Sequence, residues 1–140
     1  MPAGVGMGAM LGEFLDKKNV FAVVGVSRDP EKYGYKVYRD LKSGGYTVYA
    51  VNPKLDEIMG DRCFHSLGDL PVVPDVASIV VPPGIAELIV HECKELGIKK
   101  VWLQPGSESE KAIAFCRENG ILALHGVCVM AERRKGKARE

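Results

Sequence analysis

Val23-Val24-Gly25-Val26-Ser27-Arg28 decides the fold: a short run of β-branched residues ends in a glycine bend and a polar, cationic loop. Such a run, apolar on consecutive positions, reads as a strand buried on both faces. Three more runs end the same way, Tyr49-Ala50-Val51-Asn52-Pro53-Lys54, Ile79-Val80-Val81-Pro82-Pro83-Gly84 and Val101-Trp102-Leu103-Gln104-Pro105-Gly106. Helical patterns follow three of the four directly. In open α/β sheets ligands sit at the carboxyl edge of the strands, so these turns outline a binding edge.

Working outward, Met7, Met10, Leu11, Phe14 and Leu15 form a helical stripe before a first strand at Val20–Val24. Residues 33–43 repeat apolar positions at Tyr33, Val37, Tyr38 and Leu41, and Gly44-Gly45 stops that helix by supplying positive φ. Thr47–Val51 is a second strand and Val76–Val81 a third. Between them, 55–75 is irregular, with at most a helical turn at Ser66–Leu70. Ile85, Leu88, Ile89, Cys93 and Leu96 make a stripe closed by Gly97. A fourth strand, Lys100–Leu103, leads to Ser107-Glu108-Ser109-Glu110, read as a capping box between Ser107 and Glu110. Ala112, Phe115 and Cys116 face inward, Gly120 ends the helix, and Ile121–Leu124 is the fifth strand. This alternation predicts an α/β, Rossmann-like, doubly wound and mainly parallel five-stranded sheet with helices on both faces.

The 140 residues fit one domain with a single sizeable core, expected over 1–131. Residues 132–140 form a basic tail holding Arg133, Arg134, Lys135, Lys137 and Arg139. So few charges predict a frayed, solvated terminus and disfavour nucleic acid as a partner. No apolar run is long enough to span a membrane. The start lacks the pattern of a signal peptide, which makes a cytoplasmic location the expectation. Cys63, Cys93, Cys116 and Cys128 contain no CxxC pair, so reduced thiols are expected rather than zinc or thioredoxin-like chemistry. Cys93 and Cys116 fall on apolar helical stripes, where cysteine serves as a small hydrophobe.

The turns carry the chemistry. Gly25 stands where a dinucleotide fingerprint begins, but Ser27 and Pro30 replace the next two glycines. Ser27, Arg28 and Lys32 place a hydroxyl and two cations in one loop, a donor set that suits a pyrophosphate. Asn52-Pro53-Lys54 puts no carboxylate at the end of the second strand, where NAD enzymes hold the ribose, and Lys54 would favour a phosphorylated ribose. Pro82-Pro83 offers a rigid apolar ledge and equally a helix start. Gln104 presents an amide at the rim beside Pro105-Gly106. His125 and Cys128 supply neither a second pair of metal ligands nor an evident nucleophile–base pair, and neither a metal site nor a catalytic residue is assigned.

In order and spacing, several segments resemble the small stand-alone CoA-binding domain proteins, and through them the N-terminal CoA-binding domain of succinyl-CoA synthetase alpha subunits. They are Val24-Gly25-Val26-Ser27, Gly45-Tyr46-Thr47-Val48, Val51-Asn52-Pro53-Lys54, Leu67-Gly68-Asp69-Leu70-Pro71, Val80-Val81-Pro82-Pro83 and Trp102-Leu103-Gln104-Pro105-Gly106. The resemblance runs from about Phe14 to Cys128. It implies a Rossmann-like fold that binds coenzyme A, or an acyl-CoA, at the carboxyl edge of the sheet. The phosphates would lie on Gly25, Val26, Ser27, Arg28 and Lys32, with Tyr33 and Gly34 beside them. The adenosine end would lie near Asn52, Pro53 and Lys54. Val81, Pro82 and Pro83 would run along the ligand, and Gln104 and Gly106 would close the site.

The implied role is a carrier, sensor or partner module without catalysis of its own, with a protein partner or a second copy as a further expectation. An NADP-dependent, oxidoreductase-like protein is the alternative. In this chain Leu124-His125-Gly126-Val127-Cys128 lacks the acidic residue that the family often places there, so no role for the cysteine is carried over. The synthetases keep their phosphorylated histidine in a second domain, so ligase activity is not carried over either.

Overall fold

The computed structural model describes residues 7–138. Five helices and seven strands follow in order. They are α1 (Met7–Phe14), β1 (Val20–Val24), α2 (Tyr33–Ser43), β2 (Thr47–Val51), β3 (Glu57–Ile58), β4 (Asp61–Phe64), β5 (Val76–Ile79), α3 (Pro83–Leu96), β6 (Lys100–Leu103), α4 (Glu110–Glu118), β7 (Leu122–Leu124) and α5 (Val129–Ala138). The sheet order is β3-β4-β2-β1-β5-β6-β7, parallel throughout except for β3 against β4. This is the doubly wound α/β architecture expected, with two more strands than the sequence reading supplied.

Both extra strands come from the segment read as irregular. Met59-Gly60 takes positive φ at both residues (52° and 80°), which reverses the chain between β3 and β4. The hairpin is too short for a period-2 pattern to register.

Alternation along β1 sorts its side chains onto two cores. Phe21 and Val23 join α1, α2 and α5 on one face, with Trp102, Leu41 and Val129. Ala22 and Val24 join α3 and α4 on the other, with Ile79, Val90, Cys93 and Cys116. All four residues of β5 are buried, as a strand covered on both faces must be. Each fully buried large aliphatic side chain here contributes about 1.5–3 kcal/mol by leaving water.

Three local expectations are corrected. The capping residue of α4 is Ser109, whose Oγ accepts from the Ala112 amide at 3.1 Å, and not Ser107. On α3 the fully buried positions are Ala86, Val90 and Cys93, with Ile89 and Leu96 packed beside them, while Ile85 and Leu88 face outward. The stretch beyond residue 132 is helical rather than frayed over its described part. Arg133 of α5 donates to the Asp40 carboxylate at 2.6 Å and to the Asp40 carbonyl at 2.9 Å, with its guanidinium over the Tyr46 ring.

The sheet reverses its winding between β1 and β5. The chain moves from β1 outward to β2 on one side, then returns to β5, β6 and β7 on the other. A crevice opens at such a switch point, outside the carboxyl ends of the two strands.

Candidate functional site

Gly25 ends β1 at that crevice with φ of 102°, and its amide continues the ladder to the Val51 carbonyl at 2.9 Å. A Cβ at Gly25 would run into the Val80 carbonyl and Val81, so only glycine lets the two strand ends approach this closely. Beyond it the chain turns tightly. Ser27 Oγ accepts from the Asp29 amide at 3.0 Å, and the Asp29 carboxylate accepts from the Glu31 amide at 2.9 Å. Lys32 then occupies the N-cap position of α2, and no side chain caps that helix.

A cleft of about 630 Å³ lies over these turns. From the first loop and the start of α2 it is lined by Gly25, Val26, Ser27, Lys32, Tyr33 and Gly34. Asn52 closes one side, Val81, Pro82 and Pro83 another, and Gly106 a third. The cleft thus brings together most of the residues singled out in the sequence. Val80, Pro105 and Ser107 line it as well and were not anticipated.

Four expected residues stand elsewhere. Arg28, Pro53 and Lys54 are exposed and outside the lining. Gln104 does not present its amide at the rim: its side chain is fully buried. It donates to Ser78 Oγ at 3.1 Å and accepts from the Val129 amide at 3.0 Å and from the Tyr33 hydroxyl at 3.3 Å. The polar end of β6 is therefore consumed inside the protein.

Two side chains shape the walls. Asn52 Nδ2 donates to the Val26 carbonyl at 2.7 Å while its Oδ1 accepts from the Lys54 amide at 2.8 Å, bracing the first loop against the end of β2. Ser107 Oγ accepts from the Val81 amide at 3.1 Å, which ties the turn after β6 to the proline ledge after β5. Burial hides Ser107 almost completely, so its hydroxyl serves the wall.

Tyr33 is half-buried at the base, its hydroxyl bonded to Cys128 Sγ. Burial, and then that hydrogen bond, push its phenol well above the ordinary tyrosine range, so it remains a neutral donor. His125 is exposed and lines a separate groove with Met7, Met10 and Arg117. His65 bonds the exposed Asp56 carboxylate at 2.9 Å. Among the described residues no group of three histidine, cysteine or acidic side chains is placed to hold a metal ion. No described helix is long and apolar enough to cross a membrane.

The chain resembles known proteins in sequence and in fold. Residues 19–134 match the profile of the CoA binding domain, and the chain belongs to that family. A conserved hypothetical protein from Pyrococcus furiosus is 42% identical with a TM-score of 0.78, covering 81% of this chain and 98% of that one. A hypothetical protein from Pyrococcus horikoshii is 30% identical with a TM-score of 0.88, covering 96% of this chain and 95% of that one. The alpha subunit of an ADP-forming acetate–CoA ligase of Pyrococcus furiosus is 39% identical over 93 residues, 66% of this chain and 20% of the relative. The chain thus spans about a fifth or less of the length of such ligases.

Proposed function

We propose that this protein binds coenzyme A, free or acylated, in the cleft between β1 and β5, and acts as a carrier, sensor or partner module without catalysis of its own. The observation that carries this reading is the uncapped N-terminus of α2, opening onto the cleft beside Lys32 and the Gly25–Ser27 bend. Free amides at a helix start, a partial positive charge and a lysine together form a receptor for phosphate. The remaining lining suits the rest of the molecule. Val81, Pro82 and Pro83 offer an apolar wall for an uncharged arm, while the lining contains no aspartate or glutamate to repel phosphates or to seek ribose hydroxyls.

Membership of the CoA binding domain family supports the same ligand. The ligase relatives, in which a matching segment is a fraction of a larger enzyme, favour a protein partner for this chain. A thermal-shift panel of coenzyme A, acetyl-CoA, dephospho-CoA, NAD, NADP and S-adenosylmethionine tests the reading. Stabilisation by coenzyme A and acetyl-CoA is expected; a shift with NADP and none with coenzyme A would overturn it.

A further inference from the structure

Gln104 and Tyr33 form a junction that the cleft alone does not explain. Gln104 is fully buried at the end of β6, and every polar end of its side chain is engaged. Its Oε1 receives two donors: the Tyr33 hydroxyl, from the first residue of α2, and the Val129 amide, from the first residue of α5. The Val129 amide is the unusual partner. In most helices the leading amides are met by a local capping side chain or by water. Here one is met by a side chain 25 residues earlier in the sequence, just beyond the end of β6. Cys128, just before α5, takes the other bond of the same tyrosine. One turn further along α5 the two helices meet again, through Arg133 on Asp40. The helix that opens the cleft and the C-terminal helix are therefore fastened at two points, and only the first touches the cleft lining.

We propose that Gln104 is a positioning residue through which occupancy of the cleft reaches α5. This rests on the coenzyme A reading above. A ligand seated against Tyr33 restricts its ring and shields the hydroxyl from water. The shared bonds to Gln104 Oε1 and Cys128 Sγ are then held for more of the time, and the first turn of α5 opens less often. By linkage, whatever steadies that turn also tightens the ligand. The basic end of α5, with Arg134 and Lys135 exposed, becomes a surface whose order reports a filled cleft.

Amide hydrogen exchange, followed residue by residue on the full chain, tests this. Coenzyme A at saturation should slow exchange at Val129 and at the Gly25–Ser27 loop by about fivefold or more, the lower range of coupling between sites. That slowing is counted beyond the change at Phe21 and Trp102, core amides that report global stabilisation by ligand. In Tyr33→Phe, which keeps the ring and removes the hydroxyl, the loop should still slow at saturation while the extra slowing at Val129 disappears. Gln104→Met should behave in the same way if it folds, and Tyr33→Phe decides the matter if it does not. Equal slowing at Val129 in Tyr33→Phe, or none at Val129 in the unaltered protein while the loop slows, would overturn the coupling. No response at the loop would overturn the coenzyme A reading itself and the coupling with it.

Discussion

Gly34 on α2 lies against the carbonyl oxygen of Gly25 so closely that a Cβ on Gly34 would overlap it. The first turn of the helix and the residue that follows β1 are thus in backbone contact, and both line the cleft. Gly34→Ala forces one of them to move. Overpacking of this kind costs about 1–3 kcal/mol, so a lower thermal midpoint is expected together with weaker coenzyme A binding. Unchanged stability would mean that α2 is not pressed onto the strand end.

Lys32 and Arg28 are both exposed cations of the first loop, but only Lys32 lines the cleft. Lys32→Ala should weaken coenzyme A by about 1–2 kcal/mol, the scale of a solvent-facing charged hydrogen bond, and flatten the salt dependence of binding. Arg28→Ala should change affinity by less than about 0.5 kcal/mol. Calorimetric titration at two salt concentrations distinguishes them. A larger loss at Arg28 would place the phosphates outside the cleft.

Arg133 and Asp40 are a partly buried pair, with the guanidinium also over Tyr46 and pressed close to Gly44. Arg133→Met keeps much of the aliphatic packing and removes the charge. A cost of about 1–2 kcal/mol is expected, between that of an exposed pair and a buried one. Denaturant unfolding measures it, and a change near zero would show that α5 does not depend on this clamp.

Alkali should destabilise the fold. Burial pushes the Cys93 thiol from 9.0 up to about 12 and the Cys116 thiol up to about 11. Above pH 9 the unfolded chain releases protons that the folded chain keeps, so stability is level below about pH 9 and falls as pH rises beyond it. Tyr33 and Tyr38, also raised by burial, add to the fall at still higher pH. A thermal midpoint that stays constant from pH 8 to pH 11 would contradict this.

Strands β1, β2, β5, β6 and β7 were legible because each is a short, mainly apolar run with a turn-forming glycine, proline or asparagine within a few residues of it, the pattern of a largely buried parallel strand. The β3–β4 hairpin was not, because two and four residues carry too little periodicity. The cleft was legible at Gly25, Ser27 and Lys32, where loop chemistry is local. It was misread at Gln104, whose place at a strand end says nothing about which neighbours will claim its amide. Ser107 was misread for a similar reason: two serines precede α4, and the tertiary contact with Val81, not spacing, decides which one caps. The inward face of α3 was read in part: Ile89, Cys93 and Leu96 pack on the core, while Ile85 and Leu88 are exposed and the small Ala86 and Val90 are buried.

The most direct measurement is a crystal structure of the protein with coenzyme A bound. The ligand is expected in the β1–β5 crevice, its phosphates within hydrogen-bonding reach of the Gly25–Ser27 bend and the first amides of α2, and its uncharged arm along Val81–Pro83. Coenzyme A bound at another surface, with this crevice free of ligand, would contradict it.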